Sequence, residues 1–370
     1  MSRWTTMVKR LGVSDRLIRR NPALYRPAHH TLVRAPLDAG AERRWIDARL
    51  KRVLAAAAST PYGRSCGAPR HLGDWPILEK DAVREDPRAF LARRRILTAS
   101  ASTSGTTGTP LLLRRSFASV AHEQAVLDWL LERIGVDPRR CRAAVLRGDD
   151  IKAPEDRSPP YWRLANGGRR LIFSSNHLDR HTAGEFIAAL EGFRPEVLLV
   201  YPTVLGSLAA LILEQDARLK VPLTVCSSEV LTEATRAIAE AALGTRVLDY
   251  YGQAERAAFA YQDGTRGYRF LPTYSINELR SIDAEDDGDA DVYELIGTSL
   301  WNLAMPLVRY RTGDLIRLRK GANAAAVAAG REPFLGILGR NGDYLIAPTG
   351  ARLMGIDHIP RDVPRVLRAQ

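Results

Sequence analysis

The chain has 370 residues, 45% of them hydrophobic and 26% charged, a balance that fits a soluble globular protein and excludes a disordered or fibrous one. Its length suits one large domain or two ordinary ones. A formal charge of +12 is compatible with an anionic ligand, but Arg139, Arg140, Arg142, Arg147, Arg163, Arg169 and Arg170 are scattered with no zinc-finger spacing or RNP-like aromatic run, so no nucleic-acid partner is expected.

Met1 to Arg20 is basic but has no continuous apolar stretch, so it does not read as a secretory signal. Nowhere does the chain reach the roughly 18 apolar residues that span a bilayer. A cytoplasmic protein without stable membrane insertion is expected, with the N-terminal helix packed on its own domain; contact with a membrane surface is the alternative for that helix. Ala41 to Ala58 is the clearest periodic helix of a helical region that runs to about Arg95. Cys66, Cys141 and Cys226 are odd in number and widely spaced, which argues against a disulfide framework and a cysteine metal site.

Ile96 to Pro110 is rich in small and hydroxyl residues and reads as a loop. From there apolar runs alternate with helical patterns. Strands are expected near Ala143–Leu146, Leu171–Phe173, Val197–Tyr201, Leu223–Cys226 and Arg246–Leu248. Helices are expected near Ser119–Ile134, Thr182–Leu190, Thr203–Gln215 and Thr232–Leu243. That rhythm predicts βαβ crossovers building a parallel sheet, whose ligands bind at the carboxyl ends of its strands. Beyond about Gly267, short strands are expected at Tyr293–Ile296, Leu307–Tyr310, Leu315–Leu318 and Tyr344–Ile346, with Asp283–Asp291 an exposed loop and Ala322–Ala329 a surface insertion.

The segment Ser102-Thr103-Ser104-Gly105-Thr106-Thr107-Gly108-Thr109-Pro110 combines glycines, which let backbone N–H groups approach an anion, with hydroxyl donors. A flexible linker shares that composition. No lysine follows Gly108, which excludes the standard Walker A reading. Taken with Tyr250-Tyr251-Gly252-Gln253-Ala254-Glu255, Arg309-Tyr310-Arg311-Thr312-Gly313-Asp314 and Leu338-Gly339-Arg340-Asn341-Gly342-Asp343, all in order, the loop resembles the adenylate-forming superfamily of acyl-CoA synthetases and adenylation domains. Thr298 to Tyr310, together with Val200-Tyr201-Pro202-Thr203 and Ser227-Ser228-Glu229, is similar to its phenylacetate–CoA ligase and CapK-like branch.

The resemblance implies an α/β fold: a large adenylation domain of parallel sheets with flanking helices and a β-rich C-terminal part, its mobile C-terminal domain largely absent. Residues 1–95 would be its N-terminal helical portion, 96–340 the ATP- and substrate-binding core, and 341–370 the hinge and start of the C-terminal domain. It also implies activation of a carboxylic acid, aryl or otherwise small, with ATP and Mg²⁺ to an acyl-adenylate and pyrophosphate, then transfer to CoA, an amine or a carrier protein. Catalytic roles fall on Thr103, Glu255 and Arg340. Ser102, Thr103, Ser104, Gly105, Thr106, Thr107 and Gly108 would hold phosphates. Ser228 and Glu229 would line the adenine pocket, and Tyr250, Tyr251 and Gly252 would flank base and substrate. Glu255 would ligate Mg²⁺, Asp314 would accept from the ribose hydroxyls, and Arg340 would sit near the ribose and α-phosphate.

Tyr201, His177, Tyr251 and Gly252 are the candidate substrate contacts; a packed histidine is the alternative at His177. Arg147, after a predicted strand, is a candidate for facing an anion. Singly, each motif also reads as an ordinary surface carboxylate, turn or hairpin.

Two departures stand out. Where some of the branch carry a Cys and His pair, this chain reads Ala260-Tyr261-Gln262-Asp263-Gly264, so no structural zinc is expected. After Lys320 there is no lysine to play the part of the mobile domain's, and the sequence stops at Gln370, about where that domain begins in relatives. A nucleotide-binding assembly component of the same fold, without complete ligase activity, is therefore the competing reading.

Overall fold

Asn21 receives the Ala23 N–H at 3.1 Å and opens helix α1 (Pro22–Arg34), whose buried Tyr25, Ala28 and Leu32 lie on one helical face. The computed structural model describes residues 15–34, 38–93, 96–102, 110–148, 151–153, 155–264, 266–282, 290–340, 344–346 and 352–354. They divide into two units, one running to Gly135 and again from Gly252 to Met354, the other from Val136 to Tyr251.

In the first unit Asp38 caps α2 (Ala39–Ala58) by accepting from Ala41 N–H at 2.9 Å, and Thr60 caps the short α3 (Pro61–Ser65). A further short helix, α4, spans Lys80–Glu85. Strands β1 (Thr98–Ser102) and β2 (Leu112–Ser116) form an antiparallel hairpin, and α5 (Phe117–Glu132) follows, capped by Ser116. The loop expected at Ile96–Pro110 is thus a strand as far as Ser102, because pairing with β2 supplies a ladder that small hydroxyl residues join readily. Residues Thr103 to Thr109 lie outside the described residues. Helix α1 packs on α5 through Asp128: its carboxylate accepts from Arg20 at 2.7 and 3.0 Å, the Tyr25 hydroxyl at 2.9 Å and Gln124 at 2.8 Å.

The second unit holds β3 (Ala143–Leu146), β4 (Trp162–Ala165), β5 (Arg170–Phe173), α6 (Ala183–Phe193), β6 (Val197–Val200), α7 (Pro202–Glu214), β7 (Leu223–Ser227), α8 (Glu233–Leu243) and β8 (Arg246–Gly252). Its strands lie in the order β8-β7-β6-β3-β5-β4, parallel except for β4, which pairs antiparallel with β5. The predicted crossovers are present. Strands β3 and β7 are buried throughout, as parallel strands covered on both faces must be. Strand β4 escaped the sequence reading because Arg163 and Leu164 are exposed and the run is short. The core is aliphatic and aromatic, built around Leu146, Phe173, Phe186, Leu198 and Leu208.

The chain then returns to the first unit with β9 (Phe259–Gln262) and β10 (Tyr268–Phe270), an antiparallel pair. A second sheet has the antiparallel order β11 (Ser275–Ser281), β12 (Ala290–Ser299), β13 (Tyr310–Arg319), β14 (Gly336–Arg340). Helix α9 (Ala324–Ala328) precedes β14, and β15 (Tyr344–Ile346) pairs with β16 (Arg352–Met354). The expected strand at Leu307–Tyr310 begins only at Tyr310. Arg309 adopts φ +49° and gives its N–H to Thr298 Oγ1 at 2.8 Å, which takes it out of the ladder. Nor is Ala322–Ala329 a mere insertion, since Asn323 caps α9 and buries Ala326 and Val327. Of the expected Asp283–Asp291 loop, residues 283–289 lie outside the described residues. Gly297 has no alternative, because a Cβ there would meet the Ala257 carbonyl oxygen at 2.4 Å. No helix among the described residues is long and apolar enough to cross a membrane.

Candidate functional site

In the first unit Glu255 is the predicted residue with the clearest surroundings. Its carboxylate is buried, and Oε1 accepts from the fully buried Tyr310 hydroxyl at 2.9 Å. The Lys80 ammonium, at the start of α4, stands 3.4 Å from the same oxygen. An isolated parallel bridge explains why: Leu78 N–H donates to the Arg309 carbonyl and Arg311 N–H to the Leu78 carbonyl, both at 2.9 Å, which sets Lys80 beside the start of β13. Arg115 donates through Nε to the Ala254 carbonyl at 3.1 Å. Burial, followed by the neighbouring Arg256 cation, pulls that guanidinium down to about 10, while Glu123, Tyr274 and Glu255 work in the other direction. The Lys80 ammonium thus faces the buried carboxylate, with the Arg115 guanidinium held on the neighbouring Ala254 carbonyl.

The Arg-Tyr-Arg-Thr-Gly-Asp segment alternates between framework and site. Arg309 grips Glu278 with bonds of 2.8 to 3.1 Å and the Trp75 carbonyl at 2.7 Å. Arg311 pairs with Glu79 at 3.0 Å and Glu294 at 3.1 Å. The pairing of β12 with β13 shifts register between Glu294 and Ile296, which accommodates Thr312, Gly313 and Asp314 as a bulge, with Gly313 at φ +79°. Thr312 Oγ1 donates to the Leu295 carbonyl at 2.9 Å and accepts the Asp314 N–H at 3.0 Å, so the bulge re-aims Asp314. Asp314 and Arg340 are partners across β13 and β14. Ser102 ends β1 opposite Leu112 and is exposed; Thr103, Ser104, Gly105, Thr106, Thr107 and Gly108 lie outside the described residues.

In the second unit the predicted residues sit at the carboxyl ends of the parallel strands. Ser228 follows β7 in the left-handed region at φ +74°. Glu229 accepts from both the N–H and the hydroxyl of Thr203, at 2.9 and 2.6 Å, and so caps the start of α7 beside Tyr201. Tyr250 is half-buried and accepts from Arg147 at 3.2 Å; Tyr251 is buried. His177 is fully buried, stacked on Tyr161 with ring centroids 5.3 Å apart, its Nδ1 2.7 Å from Ser174 Oγ. Gly252, which closes β8, falls in the first unit, where a Cβ would come 3.6 Å from Phe259.

Curated relatives resemble this chain in sequence. CapK of Staphylococcus aureus is 25% identical over 279 residues, which cover 74% of this chain and 60% of CapK. A phenylacetate–coenzyme A ligase of Pseudomonas putida is 30% identical over 172 residues, 43% of this chain and 37% of that protein. In sequence this chain is similar to CapK and to the phenylacetate–CoA ligases. Its fold is that of the adenylate-forming ligases. A crystal structure of 2-hydroxyisobutyryl-CoA ligase in the postadenylation state superimposes with a TM-score of 0.62 at 16% identity, over 86% of this chain and 72% of that one. No family model matches. The chain spans 60% and 37% of the two curated relatives' lengths.

Three residues around Glu255 had no assigned role in the sequence: Lys80, Arg115 and Tyr310. Tyr310 belongs to a motif whose carboxylate drew the attention. Lys80 and Arg115 carry no local signal at all, since only the bridge at Leu78 and the β1–β2 hairpin bring them in.

Proposed function

We propose that this chain activates a small carboxylic acid, aryl acids foremost, with ATP to give an acyl-adenylate and pyrophosphate. The acyl group then passes to CoA, an amine or a carrier protein. The observation that carries the reading is the buried Glu255 carboxylate joined to Tyr310 and Lys80, because it ties two superfamily motifs into one polar centre. The name of the Pseudomonas putida relative supports a phenylacetate-like acid and CoA as acceptor.

The acid is already an anion near neutral pH, so it needs no general base. One carboxylate oxygen attacks the α-phosphorus, a new carbon–oxygen–phosphorus linkage forms, and the bond to pyrophosphate breaks. The protein's task is to orient these groups and offset charge. Asp314, an acceptor-only carboxylate fixed by its bulge, suits two ribose hydroxyls. Arg340, its cross-strand partner, would stand near the ribose and α-phosphate. Ser228 would line the base pocket, with Glu229 anchoring its turn to α7. Tyr250, Tyr251 and Tyr201 would line the base and acid pockets, and His177 would brace the acid pocket from its buried position behind Tyr161.

Glu255 also fits Mg²⁺. That ion binds through one or two carboxylates, phosphate oxygens and retained waters, and a single buried carboxylate meets its demand. Among the described residues no group of three or more His, Cys, Asp or Glu is placed to hold a metal by itself. Bound there, Mg²⁺ would offset phosphate charge, while Tyr310 and Lys80 orient the Glu255 carboxylate.

ATP–pyrophosphate exchange over benzoates, phenylacetates and amino acids tests the reading. AMP and pyrophosphate are the expected products. ADP and phosphate would overturn it, and tight ATP binding without exchange for any acid would favour a nucleotide-binding assembly component.

A further inference from the structure

Strand order in the second unit reverses at β3. From β3 the chain runs outward to β4 and β5 on one side, then crosses to β6, β7 and β8 on the other. Open parallel sheets bind ligands in the crevice at such a switch point, outside the carboxyl ends of the strands. The residues at this crevice are Arg147 and Gly148 after β3, and Tyr201 after β6. Gly148 is close enough that a Cβ there would lie 3.6 Å from the Tyr201 ring.

Arg147 is an unusual cation for this position. Among the described residues its side chain has neutral partners: the guanidinium stands 5.8 Å from the Tyr250 ring centroid, Nη1 donates to the Tyr250 hydroxyl at 3.2 Å and Nη2 to the Val225 carbonyl at 3.3 Å. Both are long for charge-assisted bonds. Among the described residues its buried Nε has no partner and no carboxylate lies in ion-pair reach of the guanidinium. A half-buried cation that finds no counter-ion among the described residues and keeps an unspent donor is costly unless an anion is supplied, and a ligand can supply it. The other positive feature nearby, the start of α7, is already closed by Glu229.

We propose that Arg147 is the carboxylate anchor of the acid substrate, receiving a carboxylate in the crevice between β3 and β6 with Tyr250 and Tyr201 beside it. This rests on the acid-activating reading for the identity of the ligand. The carboxylate is either the reacting one or a second acidic group carried by the same acid, and the planar fork of the guanidinium suits both.

Calorimetric titration of the whole chain without nucleotide tests the anchor. The ligands are phenylacetate, 4-carboxyphenylacetate and the neutral isostere phenylacetamide. Arg147→Leu should weaken carboxylate binding by about tenfold or more, with Arg147→Lys intermediate and the amide unaffected. Equal loss for both acids assigns the reacting carboxylate; loss confined to the diacid assigns the second group. If the Leu variant is unstable, Arg147→Gln, which keeps donors towards Tyr250, replaces it. Acid affinities unmoved by any of these substitutions, or a parent chain that binds neither acid, overturn the proposal. Failure of pyrophosphate exchange alongside carboxylate binding that still follows Arg147 would overturn acid activation and leave the anchor standing.

Discussion

The Tyr310 hydroxyl reaches across 55 residues of sequence to Glu255 and donates to its Oε1 at 2.9 Å. The Tyr-Arg-Thr-Gly-Asp motif therefore supports the carboxylate of the Tyr-Gly-x-x-Glu motif directly. Removing the donor leaves a buried carboxylate short of a partner, so Tyr310→Phe should cost about 1–3 kcal/mol in urea unfolding and slow pyrophosphate exchange. A variant with parent stability and parent exchange rate would show that this bond does nothing.

Glu255→Gln should depress Mg²⁺-dependent exchange far more than it changes folding stability, since the amide keeps the shape and loses the charge. Lys80→Met probes the same centre from a side chain that is 24% exposed. Its exchange rate should fall while its unfolding midpoint moves little. In the double variant the two losses should combine less than additively, because both act on one carboxylate. Strict additivity would separate Lys80 from Glu255.

Asp314→Ala should raise the apparent KM for ATP by about tenfold, the usual scale for a lost hydrogen bond to a charged acceptor. The KM for the acid should stay where it was. An unaltered KM for ATP would put the ribose elsewhere.

Asp128 serves the fold alone. Its four hydrogen bonds tie Arg20 and Tyr25 to α5 and engage Gln124 on the same helix, and Asp128→Ala would take this carboxylate away from the partly buried Arg20 and the buried Tyr25. A loss of about 3–5 kcal/mol is expected, with unchanged KM values in the fraction that remains folded. Stability equal to the parent's would mean that α1 is not held through this carboxylate.

His122 makes stability depend on pH. It is buried, stacked on Trp301 with centroids 3.8 Å apart, and burial, then Arg256 and Arg49, hold it well below its ordinary 6.5. Above pH 6.5 the histidine is neutral in both folded and unfolded chains and contributes no difference. As pH falls below that, the unfolded chain takes up the proton first, so folding weakens. Urea midpoints measured on either side of that pH should fall on acidification, and His122→Phe should flatten the difference. An equal slope in the variant would place the titrating group elsewhere.

Four ordered motifs, the βα rhythm and the absence of a Walker lysine were enough to read the likeness to CapK and phenylacetate–CoA ligases and the parallel sheet, because local pattern and motif spacing are properties of the chain itself. The buried runs of β3, β6 and β7 announced themselves as apolar segments. Leu307–Val308 misled for the same reason: both are buried, yet a left-handed Arg309 diverts the chain, and apolarity alone does not distinguish a packed turn from a strand. Only tertiary structure could bring Lys80 and Arg115 to Glu255, turn Glu229 into a helix cap and bury His177 against Tyr161. Those relationships depend on long-range packing and on which donor reaches which acceptor, and a one-dimensional pattern carries neither distance nor direction.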